Sequence, residues 1–113
     1  MNGIVIKEEI KGDVVILRMS GNLDAITSPS SECKIFEFIN QGKNKVLIDL
    51  SGVQHLSSAG LRVFVSVTRK LRSMSGNLVL VAPSLFLMDI LKISGCQQVL
   101  EIANTLEEGL RRF

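Results

Sequence analysis

The chain has 113 residues, a size at which one domain around one core is expected and two are not. Hydrophobic residues make up 46% and charged residues 21%, so the chain can fill a core and is expected to fold rather than remain disordered. Thirteen Lys and Arg against eleven Asp and Glu leave a net charge of +2 with no basic stripe, and five Phe without Tyr or Trp offer little stacking surface, so nucleic-acid binding gains no support.

Residues 4–6 are β-prone, and residues 14–19 form a second such group after the turn chemistry of Lys11-Gly12-Asp13, which predicts a hairpin. Residues 20–24 are expected to break the second strand. The polar stretch 27–31 has Pro29 where a first helical turn accepts it. It predicts a helix ending near Asn40, with an inward stripe of Cys33, Phe36 and Ile39, Ile35 beside them, and Gly42 as terminator. Residues 46–50 hardly alternate, as in a central strand covered on both faces, and residues 51–56 read as a short connection.

Ser57-Ser58-Ala59-Gly60-Leu61 opens the longest helical pattern, running to about Met74, with Leu61, Phe64, Val65, Thr68 and Leu71 expected to face the sheet. Gly76-Asn77 marks a return and residues 78–82 another buried strand. Pro83 and Ser84 introduce a helix over residues 85–93, which Gly95 closes in a left-handed conformation. Residues 98–102 suggest a brief strand, and Thr105 with Glu108 forms a capping-box pattern ahead of a last helix holding Leu106, Leu110 and Phe113. The order implies a single α/β domain over residues 1–113: a mixed, mostly parallel sheet with an N-terminal antiparallel strand pair and about four helices.

The segment at Ser57 and Ser58 carries the most chemistry. A hydroxyl at a strand-to-helix corner lies beside backbone N–H groups that the helix cannot pair, and a phosphate there finds donors and a favourable dipole. The competing structural role is a helix cap at Ser57 or Ser58, with Ala59 and Gly60 allowing close packing. Asp24 reads either as a turn residue or as a carboxylate near this helix opening, and Asp49 either as local charge or as an Asx-type contact. His55, the only histidine, has no partners that would make a catalytic triad. No phosphate-binding glycine loop or HExxH pattern is present, so neither enzymatic turnover nor a metal or organic cofactor is expected.

Cys33 and Cys96 match no metal-ligand spacing and are expected to be buried thiols in a reducing cytoplasm. Charges interrupt the start where a signal peptide needs apolar residues, and the longest apolar run, 78–82, is far too short to span a bilayer, so a cytoplasmic protein without membrane insertion is expected.

Three motifs carry a resemblance across nearly the whole chain: Ser20-Gly21-Asn22-Leu23-Asp24, Val46-Leu47-Ile48-Asp49-Leu50-Ser51-Gly52-Val53 and Leu56-Ser57-Ser58-Ala59-Gly60-Leu61-Arg62. Pro83 and Ile93-Ser94-Gly95 agree with them. The chain resembles the bacterial anti-sigma factor antagonists of the STAS domain family. The resemblance implies phosphorylation at Ser58 by an anti-sigma factor that is also a serine kinase, capture of that partner by the unphosphorylated form, and reversal by a separate phosphatase. It also implies a switch surface of Asn22, Asp24, Ser57, Ser58, Ala59, Gly60 and Arg62. Two positions depart: many regulated members carry Asp where this chain has Ser57, and Glu where it has Asn22. A second reading is an adaptor or scaffold STAS protein in a signalling or membrane-associated complex without a phosphorylation switch.

Overall fold

Five strands form one sheet in sequential order, built from β1 (Ile4–Lys11), β2 (Val14–Leu23), β3 (Lys45–Leu56), β4 (Asn77–Val81) and β5 (Glu101–Ala103). The computed structural model describes residues 3–113; Met1 and Asn2 of the expected domain lie outside the described residues. β1 pairs antiparallel with β2, and each later neighbouring pair is parallel. Each parallel step needs a crossover, and the helices α1 (Ser28–Asn40), α2 (Ser58–Ser73) and α3 (Leu85–Ile93) supply them. The mixed sheet, its antiparallel opening and its four helices agree with the order read from the sequence.

The central strands are apolar on both sides because both sides are covered. Val15, Leu17, Met19, Val46, Ile48, Leu50, Leu78 and Leu80 meet the apolar residues of α1, α2 and α3 on one face. On the other, Val14, Ile16, Leu47, Val79 and Val81 are covered by Leu106 and Leu110 of α4 (Leu106–Leu110) and by Phe113. Thr105 caps α4 by accepting from the Glu108 N–H at 3.1 Å, while the Glu108 carboxylate reaches back to the Asn104 N–H rather than that of Thr105. Gly42 (φ 88°) and Gly95 (φ 77°) occupy left-handed positions after α1 and α3, which favour glycine.

Several local expectations are corrected. β2 does not break at residue 20 but runs to Leu23, and β3 runs through residues 51–56, expected as a connection, to Leu56. These two extensions pair with each other, with register shifts between Arg18 and Ser20 and between Gly21 and Asn22. The shifts disrupt the two-residue alternation that marks a strand in sequence. β5 comprises only Glu101–Ala103, preceded by a 3-10 turn at Cys96–Gln98, so the strand expected from residue 98 starts later.

In α1 the inward residues are Ser28, Ser31, Ile35, Phe38 and Ile39, while Cys33 is exposed and Phe36 half-buried. An apolar count misses this stripe because two of its members are serines; the Ser31 hydroxyl is satisfied by donating to the Thr27 carbonyl at 2.9 Å. Cys96 is half-buried, so neither thiol is enclosed as expected. α2 buries Leu61, Phe64, Thr68 and Leu71 as expected, but also Val63 and Val67, and leaves Val65 half-buried.

Thr68 is fully buried, and among the described residues its hydroxyl and that of Ser28 have no hydrogen-bond partner. An unmatched buried hydroxyl is destabilising, whereas Phe64, also fully buried, fills the core. Thr68→Val, which keeps the shape and removes the hydroxyl, is expected to raise stability by about 1 kcal/mol in urea melts, and Phe64→Ala to lower it by roughly 3 to 5 kcal/mol.

Candidate functional site

The ends of β2 and β3 lie side by side, with Asn22 opposite His55 and Leu23 opposite Leu56. The chain leaves β3 at Ser57, whose N–H donates to the Leu23 carbonyl at 2.9 Å. Ser57 is extended (φ −91°, ψ 174°) and its hydroxyl accepts from the Gly60 N–H at 3.4 Å, so Ser57 is the N-cap of α2. Ser58 is then the first helical residue, exposed and free of capping duty. Its own N–H and that of Ala59 belong to the first turn, which no intrahelical carbonyl can serve. Of the two adjacent serines, Ser57 therefore takes the cap and Ser58 leaves its hydroxyl exposed.

Gly60 is buried against the strand ends, and a Cβ there would lie 2.7 Å from Leu56 Cδ1 and 2.9 Å from Leu23 Cγ. The first turn of α2 cannot back away from the sheet without losing this contact. Arg62, one turn after Ser58, is exposed and stands between two concave surfaces. The larger, about 600 Å³, has a floor of Leu61 and Val65, with Ser58, Arg62 and Arg69 along α2 and Ser94 and Cys96 beyond α3. The smaller, about 360 Å³, runs between α1 and α2 past Pro29, Glu32, Ala59 and Arg62.

Asp24 resolves as a turn residue. Its Oδ1 accepts from the Ile26 N–H at 2.9 Å and the Thr27 N–H at 3.0 Å. The Thr27 hydroxyl accepts from the Asp24 N–H at 3.0 Å and donates to the Asn22 carbonyl at 2.7 Å. The Thr27 and Ile26 amides, assisted by the Thr27 hydroxyl and by His55, hold the Asp24 carboxyl below the ordinary carboxylate value, against a smaller opposing effect of desolvation. Asp49 sits in mid-strand, where its Oδ1 accepts from the Ser51 N–H at 2.9 Å, the local Asx contact. His55 is exposed and stacks on Phe86 with ring centroids 6.4 Å apart.

Sequence reasoning missed the apolar residues of this end. Ile26 after β2 and Leu85 and Phe86 at the start of α3 are 85%, 88% and 56% exposed, which places them outside the core and on the surface of this end. A signal was available in α3: Leu87 and Leu91, four apart, form its inward side and leave Leu85, Phe86 and Ile93 outside. Among the described residues no three His, Cys, Asp or Glu side chains gather as metal ligands, and no helix is long and apolar enough to cross a membrane.

Comparison with known proteins places this arrangement among relatives. The STAS domain family model matches residues 5–109. The anti-sigma-B factor antagonist of Listeria monocytogenes is 32% identical over 105 residues, covering 92% of this chain and 91% of that protein. The crystal structure of an anti-sigma factor antagonist from Mycobacterium paratuberculosis superimposes with a TM-score of 0.88 at 26% identity, covering 96% of this chain and 92% of the other. The Bacillus cell fate determinant SpoIIAA in its phosphorylated form shares the fold, with a TM-score of 0.72 at 24% identity over 96% of this chain and 98% of that one.

Loss of the cap and loss of the free hydroxyl should separate cleanly. Ser57→Ala is expected to cost about 1 kcal/mol in denaturant melts and Ser58→Ala to stay within about 0.5 kcal/mol of the native chain. The Asp24 carboxylate, held below its ordinary pKa of 3.8, stabilises the fold above that value and loses this contribution as pH falls through its lower folded value. The stability gap between the native chain and Asp24→Asn is therefore expected to be present at neutral pH and to close in acid, which melts across pH 2 to 7 would show.

Proposed function

The chain belongs to the STAS domain family, as a member of its anti-sigma factor antagonist type, and from that premise we propose that it captures an anti-sigma factor that is also a serine kinase and releases it when Ser58 is phosphorylated. Members of this type regulate by binding rather than by turnover. The observation that carries the reading is the position of Ser58: exposed, first in α2, and relieved of capping by Ser57. Phosphorylation forms the bond from Ser58 Oγ to the γ-phosphorus of ATP held by the partner, breaks the bond from that phosphorus to ADP, and releases the hydroxyl proton. A phosphatase hydrolyses the ester and restores the binding form.

The partner surface is the end of the sheet at which β2, β3 and β4 finish. Ser58 lies within it, and Ile26, Leu85 and Phe86 supply exposed apolar area. Large apolar side chains of this kind anchor interfaces, whereas the polar residues between them set register. A phosphate brings a charge of roughly −1.5 to −2 and must be desolvated if the partner closes over it. The backbone need not move for the switch to act, because a negative group at the first helical position agrees with the helix dipole.

The Ser57 departure from the usual Asp fits this account. Serine and aspartate are comparable N-caps, so Ser57 keeps the structural role of the acid and removes only its charge. One fewer negative group then stands beside the phosphate.

Calorimetry with the purified kinase is expected to show native-like affinity for Ser58→Ala without phosphate incorporation, and roughly tenfold or greater weakening for Ser58→Asp and for the phosphorylated chain. Ile26→Ser and Leu85→Ser should weaken capture while leaving circular dichroism and melting unchanged. Phosphate entering Ser58→Ala to the native extent, or undiminished affinity after modification of Ser58, contradicts the proposal.

A further inference from the structure

We propose that Arg62 is the counter-ion of the phosphate on Ser58, so that modification adds charge at one position and withdraws a cation from the partner at another. The inference rests on the reading of Ser58 as the modified residue and names how that modification is read. Ser58 and Arg62 are four residues apart on α2, the spacing at which helical side chains meet on one face. Both line the 600 Å³ groove and both are exposed.

Arg62 is also available. Among the described residues Arg18, Lys34, Lys45 and Arg112 are each engaged by a carboxylate, and Arg62 is in no such pair. The charged and titratable groups that share its two grooves are Glu32 on α1 across the smaller groove, Arg69 two turns further along α2 and Cys96 beyond α3; Asp24 and His55 lie at the strand ends from which α2 starts. Glu32 is the one carboxylate that lines either groove, and it forms no ion pair with Arg62. A phosphate on Ser58 therefore meets an Arg62 that no carboxylate already holds. The planar guanidinium can present two N–H donors to two phosphate oxygens, which a lysine in its place could not do in the same geometry.

The unphosphorylated protein then offers the partner a small hydroxyl and a free cation side by side. After phosphorylation the cation is held by the phosphate, and a partner carboxylate that used it is left unmatched. Two changes follow from one covalent event, both confined to the first two turns of α2.

The test uses the full chain with phosphoserine installed at position 58 during translation, so that no kinase is needed. Phosphorus NMR titrations of this protein and of its Arg62→Lys, Arg62→Gln and Glu32→Gln variants would read the second ionisation of the phosphate. Removing the cation in Arg62→Gln is expected to raise that pKa by roughly 0.3 to 1 unit, with Arg62→Lys in between. Glu32→Gln should lower it slightly, and added NaCl should shrink all the differences. An Arg62→Gln titration that overlays the native one overturns the pairing. Because the phosphate is placed without the kinase, that result would leave Ser58 standing as the kinase's target, and failure of a kinase to modify Ser58 would leave the titration readable.

Discussion

The absence of a side chain at Gly60 lets the first turn of α2 rest on Leu23 and Leu56, the last residues of β2 and β3. Both leucines are buried and paired across the sheet, so the helix start is registered to two strand ends at once. The Ser57 N–H to the Leu23 carbonyl adds a directional bond to this packing. Close packing tolerates little displacement, which makes the position of Ser58 a consequence of the core rather than of a loop. A group attached to Ser58 is therefore held at a fixed place on the surface.

Within that constraint the two serines have different tasks. Ser57 satisfies the helix and Ser58 is presented to solvent, although the two residues are chemically alike. The surrounding surface is also divided: an apolar fringe of Ile26, Leu85 and Phe86 at the strand ends, and a polar and cationic ridge of Ser58, Arg62, Ser66 and Arg69 on α2. Apolar area gives an interface its affinity and placed charge gives it selectivity, so under the proposed switch a phosphate on the ridge would change partner choice while leaving the fringe and core as they were. The Asp24 turn contributes indirectly, by tying the β2 exit to Thr27 and so fixing the segment that carries Ile26.

Much of the fold was legible because long periodic segments are read from burial alone. The bounds of α3 and the caps at Gly42 and Gly95 followed from local chemistry, and the corner at Ser58 followed from a strand pattern meeting a helix pattern. The failures have physical causes. The ends of β2 and β3 pair through register shifts, which erase the alternation that marks a strand. Ser28 and Ser31 are buried members of the α1 stripe, so an apolar count turned the helix toward Cys33 instead. In the site, the residue types around Ser58 and the turn role of Asp24 were visible and the Leu87 and Leu91 spacing turns Leu85 and Phe86 outward, but that Ile26 joins them depends on how separate loops meet at one end of a sheet. Nothing local in the chain encodes that meeting.

The proposed docking face for the partner is this end of the sheet. Amide NMR spectra of the isotopically labelled, unphosphorylated protein titrated with the proposed partner, an anti-sigma factor with serine kinase activity, test it most directly. The account predicts shift changes confined to Asn22, Asp24, Ile26 and Thr27, to residues 55–66, and to Leu85 and Phe86, with Ser58 among the largest. Changes centred instead on β1 or on α4, with Ser58 and Arg62 unmoved, would contradict it.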